Sequence, residues 1–116
     1  MSKEFDVKSA YSVRDKVVIV TGGGTGIGKV YSQRLAQGGA KVVLADIVAE
    51  ESNDVAEKIR DAGGQALSVP TDVTNEDAVQ AMADAAASEF GGIDGLINNA
   101  SLMSVLPRGD WFEISA

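Results

Sequence analysis

Thr21-Gly22-Gly23-Gly24-Thr25-Gly26-Ile27-Gly28 follows directly on the apolar run Val17-Val18-Ile19-Val20 and leads into a segment with helical spacing, Ile27 to Gln37. A strand that passes through a glycine-rich turn into a helix is a phosphate-gripping arrangement. Its glycines permit backbone conformations and a close approach that a Cβ atom would obstruct. The helix that follows opens with unpaired N–H groups and a partial positive charge, so its first turn suits the pyrophosphate of a dinucleotide.

Working outward, the first strand is expected at Lys16 to Val20, a continuous β-branched run of the kind found when both faces of a parallel strand are covered. Residues 1 to 15 read as a polar tail ahead of it, with residues 16 to 116 as one dinucleotide-binding domain. In the first helix Ile27, Val30, Tyr31 and Leu35 fall on one apolar face, and Gly38-Gly39 supplies a stop. A second strand, Lys41 to Ala45, ends at Asp46. A second helix, about Ala49 to Ala62, turns Val55, Ala56, Ile59 and Ala62 to one side before Gly63-Gly64. Ala66 to Val69 reads as the third strand. A third helix is expected to start at Thr74, with Asp77 completing a capping box, and carries Val79, Met82, Ala83, Ala86 and Phe90 as a core stripe up to Gly91-Gly92. The fourth strand is expected at Ile93 to Ile97 and runs into Asn98-Asn99-Ala100-Ser101.

Four strands alternating with three helices through short glycine-rich connections imply right-handed crossovers and a parallel sheet. The fold class is α/β, the amino-terminal half of a Rossmann-type doubly wound sheet. Its strands would lie in the order three, two, one, four, with ligand beyond the carboxyl ends where the order reverses between one and four. All the loops just quoted sit at that end.

Composition narrows the chemistry. The 116 residues are 45% hydrophobic and 23% charged, ordinary for a globular domain. Ten basic against seventeen acidic residues give a net charge of −7, with no basic cluster to meet nucleic acid or an anionic membrane. A small soluble partner fits better. There is no cysteine and no histidine, which excludes disulfides, thiolate metal sites, a cysteine nucleophile and a Ser-His-Asp triad. No metal site is expected. No apolar stretch reaches membrane-span length and Met1 to Ala10 has no hydrophobic signal region, so the cytoplasm is the expected location.

Asp46 stands 24 residues after Gly22, at the carboxyl end of the second strand, where the ribose of an adenosine would lie. A carboxylate there can accept from both ribose hydroxyls and would repel a 2′-phosphate, and no Arg within or just after the site reverses that preference. The expected cofactor is therefore NAD rather than NADP. A plainer role for Asp46, as a strand-end acid or helix cap, stays open beside it.

With these residues in view, Thr21 to Gly28 resembles the TGxxxGxG turn of the short-chain dehydrogenase/reductase family, and Asn98-Asn99-Ala100 resembles its NNAG motif, with Ser101 where that family most often has Gly. The resemblance runs over nearly the whole chain from Lys16. It implies an oxidoreductase that moves hydride between NAD(H) and an alcohol or carbonyl substrate. It further implies that Gly22, Thr25, Gly26, Ile27 and Gly28 shape or contact the diphosphate site, that Asp46 and Ile47 meet the adenosine ribose, and that Asp72 and Val73 meet the adenine. Asp72 could equally cap the helix that follows. Asn98, Asn99 and Ala100 would support the fourth strand and line the cofactor's ribose.

The family's catalysis uses a Tyr with a Lys four residues later, together with a Ser and a helix Asn. Tyr11 is followed at that spacing by Asp15 and Tyr31 by Leu35, so no catalytic residue is expected in this chain. A Tyr near its ordinary pKa of about 10 is a poor base without such a neighbour. The resemblance places those residues beyond Ala116, making the chain the cofactor half of a longer enzyme that would assemble as a homodimer or tetramer. Leu102 to Ala116, with Trp111, Phe112 and Ile114, would belong to core or interface. A non-catalytic nucleotide-binding or interaction module is the alternative.

Overall fold

The computed structural model describes residues 12–99. Among them strands and helices alternate as β1 (Val17–Thr21), α1 (Gly26–Gln37), β2 (Lys41–Asp46), α2 (Ala49–Asp61), β3 (Gln65–Pro70), α3 (Glu76–Phe90) and β4 (Gly95–Asn98). The sheet is parallel throughout and ordered β3-β2-β1-β4, the expected arrangement.

Both faces of the sheet are covered, which explains why β1 and β2 are continuous apolar runs. On one face Val18, Val20, Val42, Leu44 and Ala66 pack with Val55, Ala56 and Ile59 of α2, and Leu35 and Ala36 of α1 close over them. On the other, Val17, Ile19, Val43 and Ala45 pack with Met82 and Ala86 of α3, joined by Val79 and Phe90. The side chains that alternate along each strand thus feed two cores, as the period of two requires.

Two helices end alike. Gly39 and Gly63 adopt φ of 93° and 91°. Their N–H groups donate to Ala36 and Arg60, while those of Ala40 and Gly64 reach back to Leu35 and Ile59. These are paired Schellman bonds, which satisfy the last carbonyls of α1 and α2 and need a left-handed residue at the bend.

Three details depart from the sequence reading. Of the apolar face expected on α1 only Leu35 packs against the core, while Ile27, Val30 and Tyr31 are 63%, 52% and 43% exposed. The buried residues of that helix are Gly28 and Ser32, because the helix approaches the glycine turn too closely for larger side chains. The cap of α3 is Asn75, whose Oδ1 accepts the Ala78 N–H at 3.0 Å, so the helix starts at Glu76 and Thr74 stands before it. Finally, β4 starts at Gly95, two residues later than expected, because Asp94 is occupied elsewhere. Its carboxylate accepts the Val17 N–H at 2.8 Å while its own N–H donates to the Val17 carbonyl at 2.8 Å.

Ahead of β1, the Asp15 N–H donates to the Gly39 carbonyl and Val13 packs against the core. The remainder of the expected tail, residues 1–11, lies outside the described residues, as do Ala100 and the segment 101–116.

Candidate functional site

The carboxyl ends of the strands gather the expected residues into one place. Gly22 to Gly28 follow β1, Asp46 and Ile47 end β2, Asp72 and Val73 follow β3, and Asn98 and Asn99 end β4. Ala100 alone among them lies outside the described residues.

The turn between β1 and α1 is held from three sides. The Gly22 N–H donates to the Ala45 carbonyl at 2.8 Å, and the Gly24 N–H donates to Asp46 Oδ2 at 3.0 Å. Ser32 reaches back from α1 with its hydroxyl 3.2 Å from the Gly23 carbonyl. Close approach accounts for two glycines here. A Cβ at Gly28 would run into the Gly22 carbonyl and Asn99 Nδ2, and one at Gly24 would lie 2.7 Å from the Ser52 N.

The first turn of α1 differs from those of the other helices. Its Ncap, Thr25, makes no side-chain cap bond and no acidic residue lies in the turn. By contrast α2 carries Glu50 and Glu51 there, and α3 carries Glu76 and Asp77 behind the Asn75 cap. A helix N-terminus left without either kind of negative partner keeps its donors and partial charge for an external anion.

Asp46 is buried and each of its oxygens accepts a backbone N–H: Oδ2 takes that of Gly24, Oδ1 that of Val48 at 3.0 Å, and its carbonyl that of Thr71 at 2.9 Å. Each carboxylate oxygen retains a further lone-pair site. Beside it Ile47 is exposed, an apolar surface at the rim. Asp72 shows the turn role: Oδ1 accepts both the hydroxyl and the N–H of Thr74, at 2.6 and 3.0 Å. The Thr74 hydroxyl first, then its N–H, hold the Asp72 carboxyl below its ordinary pKa. Val73 is half-buried next to it.

Thr21 makes a link between the two motifs that the sequence reading missed. Its Oγ1 accepts the Asn99 N–H at 2.9 Å and lies 3.2 Å from Asn98 Oδ1, and Asn99 Nδ2 reaches the Gly22 carbonyl at 3.4 Å. The two motifs, 77 residues apart in sequence, are thereby joined by the Thr21 hydroxyl and the Asn99 amide. Only the register Thr21↔Asn98 brings them level, and nothing local to Thr21 announces it. Among the described residues no three acidic, His or Cys side chains gather to hold a metal ion.

A family model described as short chain dehydrogenase matches residues 16–113. The chain belongs to the short-chain dehydrogenase family. Within this family it is 51% identical over 88 residues to a cis-4-hydroxycyclohexanecarboxylate dehydrogenase of Sinomonas cyclohexanicum, covering 76% of this chain and 35% of that protein. Its fold matches a 7α-hydroxysteroid dehydrogenase complexed with NADH and 7-oxo glycochenodeoxycholic acid, with a TM-score of 0.74 and 39% identity over 80% of this chain and 36% of the other. The short-chain dehydrogenase/reductase homolog YusS of Bacillus subtilis is 41% identical over 100 residues, 85% of this chain and 92% of that protein. The chain therefore spans about a third of the length of the two dehydrogenases and nearly all of the third relative.

Proposed function

We propose that this chain is the cofactor-binding half of an oxidoreductase that moves hydride between NAD(H) and an alcohol or carbonyl substrate. One observation carries the reading: an uncapped, acid-free helix N-terminus lies at the sheet's switch point, beside a glycine turn that Asp46 braces. The diphosphate of a dinucleotide fits that N-terminus, met by backbone N–H groups from Thr25 to Gly28. The free lone-pair sites of Asp46 would accept from the adenosine ribose, Ile47 would cover its rim, and Val73 with Asp72 would border the adenine. Asn98, Asn99 and Ala100 would line the second ribose. The nicotinamide supplies the hydride acceptor or donor when bound; the residues of this chain bind and orient it.

Asp46 also favours NAD over NADP, since a 2′-phosphate would meet a carboxylate that no cation among the described site residues offsets. Calorimetric titration of the protein and its Asp46→Ala variant with NAD and NADP tests this. The ratio of NAD to NADP affinity should fall about tenfold or more, a difference of ~1.4 kcal/mol. An unchanged ratio refutes the assignment.

The second reading, a nucleotide-binding module without catalysis, draws on the Bacillus relative, which has nearly the same extent as this chain. NAD binding by the 116 residues without alcohol oxidation fits both readings for this chain. Turnover by these residues alone rejects the module.

A further inference from the structure

The peptide unit between Gly23 and Gly24 is gripped at both ends. Its carbonyl lies 3.2 Å from the Ser32 hydroxyl, and its N–H donates to Asp46 Oδ2 at 3.0 Å. The two partners come from different elements, Ser32 from the middle of α1 and Asp46 from the end of β2, and both side chains are buried. The grip matters because a Gly-Gly peptide is the least restrained that a chain can contain. Both residues accept either sign of φ, so the plane can turn over at little steric cost. Turned over, it would present its carbonyl where its N–H now points.

Ser32 is otherwise hard to account for. A buried serine in a helix usually satisfies its hydroxyl on the carbonyl four residues back, and Ser32 does lie 2.8 Å from the Gly28 carbonyl. That carbonyl already receives a helical N–H, so the back-bond alone would give the hydroxyl no purpose that alanine would lack. The second acceptor is what distinguishes it: one hydroxyl proton is shared between Gly28 and Gly23.

We infer that Ser32 is a positioning residue for the diphosphate turn, its hydroxyl fixing the Gly23–Gly24 peptide plane against Asp46 so that the turn is preformed for the cofactor. This rests on the cofactor reading above. Asp46 then has two tasks, toward the ribose and toward the turn, whereas Ser32 touches no part of the cofactor and acts only through the peptide. Its loss should therefore be felt by ligands that carry a diphosphate and not by the nucleoside alone.

The test is calorimetric titration of the protein and its Ser32→Ala variant with NAD, ADP and adenosine, with melting temperatures measured on both. The expected result is a loss of about fivefold in NAD and ADP affinity, the worth of one net hydrogen bond, with adenosine affinity unchanged within about twofold. Ser32→Cys, which keeps the shape and a weak donor, should fall between the two, and serves if the alanine variant does not fold. Equal losses for ADP and adenosine, or NAD affinity unchanged in both variants, overturn the role of Ser32. A wild-type protein that binds neither NAD nor ADP overturns the cofactor reading and this inference with it.

Discussion

At the scale of single residues, Asp72 shows how a carboxylate can be committed to its own turn. Its two bonds from Thr74 favour the charged form, so the folded pKa lies below the unfolded value of about 3.9. The unfolded chain then binds the proton more readily. The stabilisation is present above that pH and is lost as pH falls through the folded value. Urea midpoints measured from pH 6 downward should therefore drop less steeply below about pH 4 in Thr74→Val than in the parent, because the hydroxyl bond is the larger cause. Parallel acid limbs would reject this. Asp46 was legible in sequence because an acid ending an apolar strand has a definite place in a parallel sheet. Thr21 and Ser32 were not: the partners of Thr21 lie 77 residues on in the second motif, and those of Ser32 are backbone carbonyls that its residue type does not announce.

At the scale of elements, apolar spacing located all three helices but misjudged the face of one. Helices α2 and α3 bury Val55, Ile59, Met82 and Ala86, where transfer of aliphatic area from water decides orientation. In α1 the turn decides instead, since Gly28 must pass the Gly22 carbonyl, and Ile27, Val30 and Tyr31 are left outside. A hydrophobic pattern cannot report that constraint. The start of α3 is a similar case. Both Thr74 and Asn75 are good capping residues, and the choice was made by Asp72, which takes the Thr74 hydroxyl and leaves Asn75 to accept from Ala78. Asn75→Ala should lower stability by about 1 kcal/mol in denaturant unfolding, and a change within error would show that the cap contributes nothing.

At the scale of the whole molecule, the sheet order and both cores were legible because the alternation of strands and helices leaves few topologies. The described residues place β4 next to β1 alone. Leu96, on the face that α3 covers further along, is 60% exposed, and Ile93 is exposed beside it. A parallel strand with apolar side chains at an edge invites other chains. Leu96→Lys should reduce the concentration-dependent light scattering of the 116-residue chain without altering its circular dichroism; equal scattering would place the adhesive surface elsewhere.

The far end of that strand has a bearing on the site at its near end. Asp94 and Val17 are bonded twice, at the amino ends of the strands, opposite the candidate site at their carboxyl ends. Between this bolt and Asn99 there is only a four-residue strand, too short to correct an error in alignment by its own hydrogen bonds. A slip of one position would carry Asn99 about 3.3 Å along and turn Leu96 and Ile97 to each other's faces. The level at which the second motif meets the glycine turn is thus set like the stop on a sliding drawer, by a catch at the back.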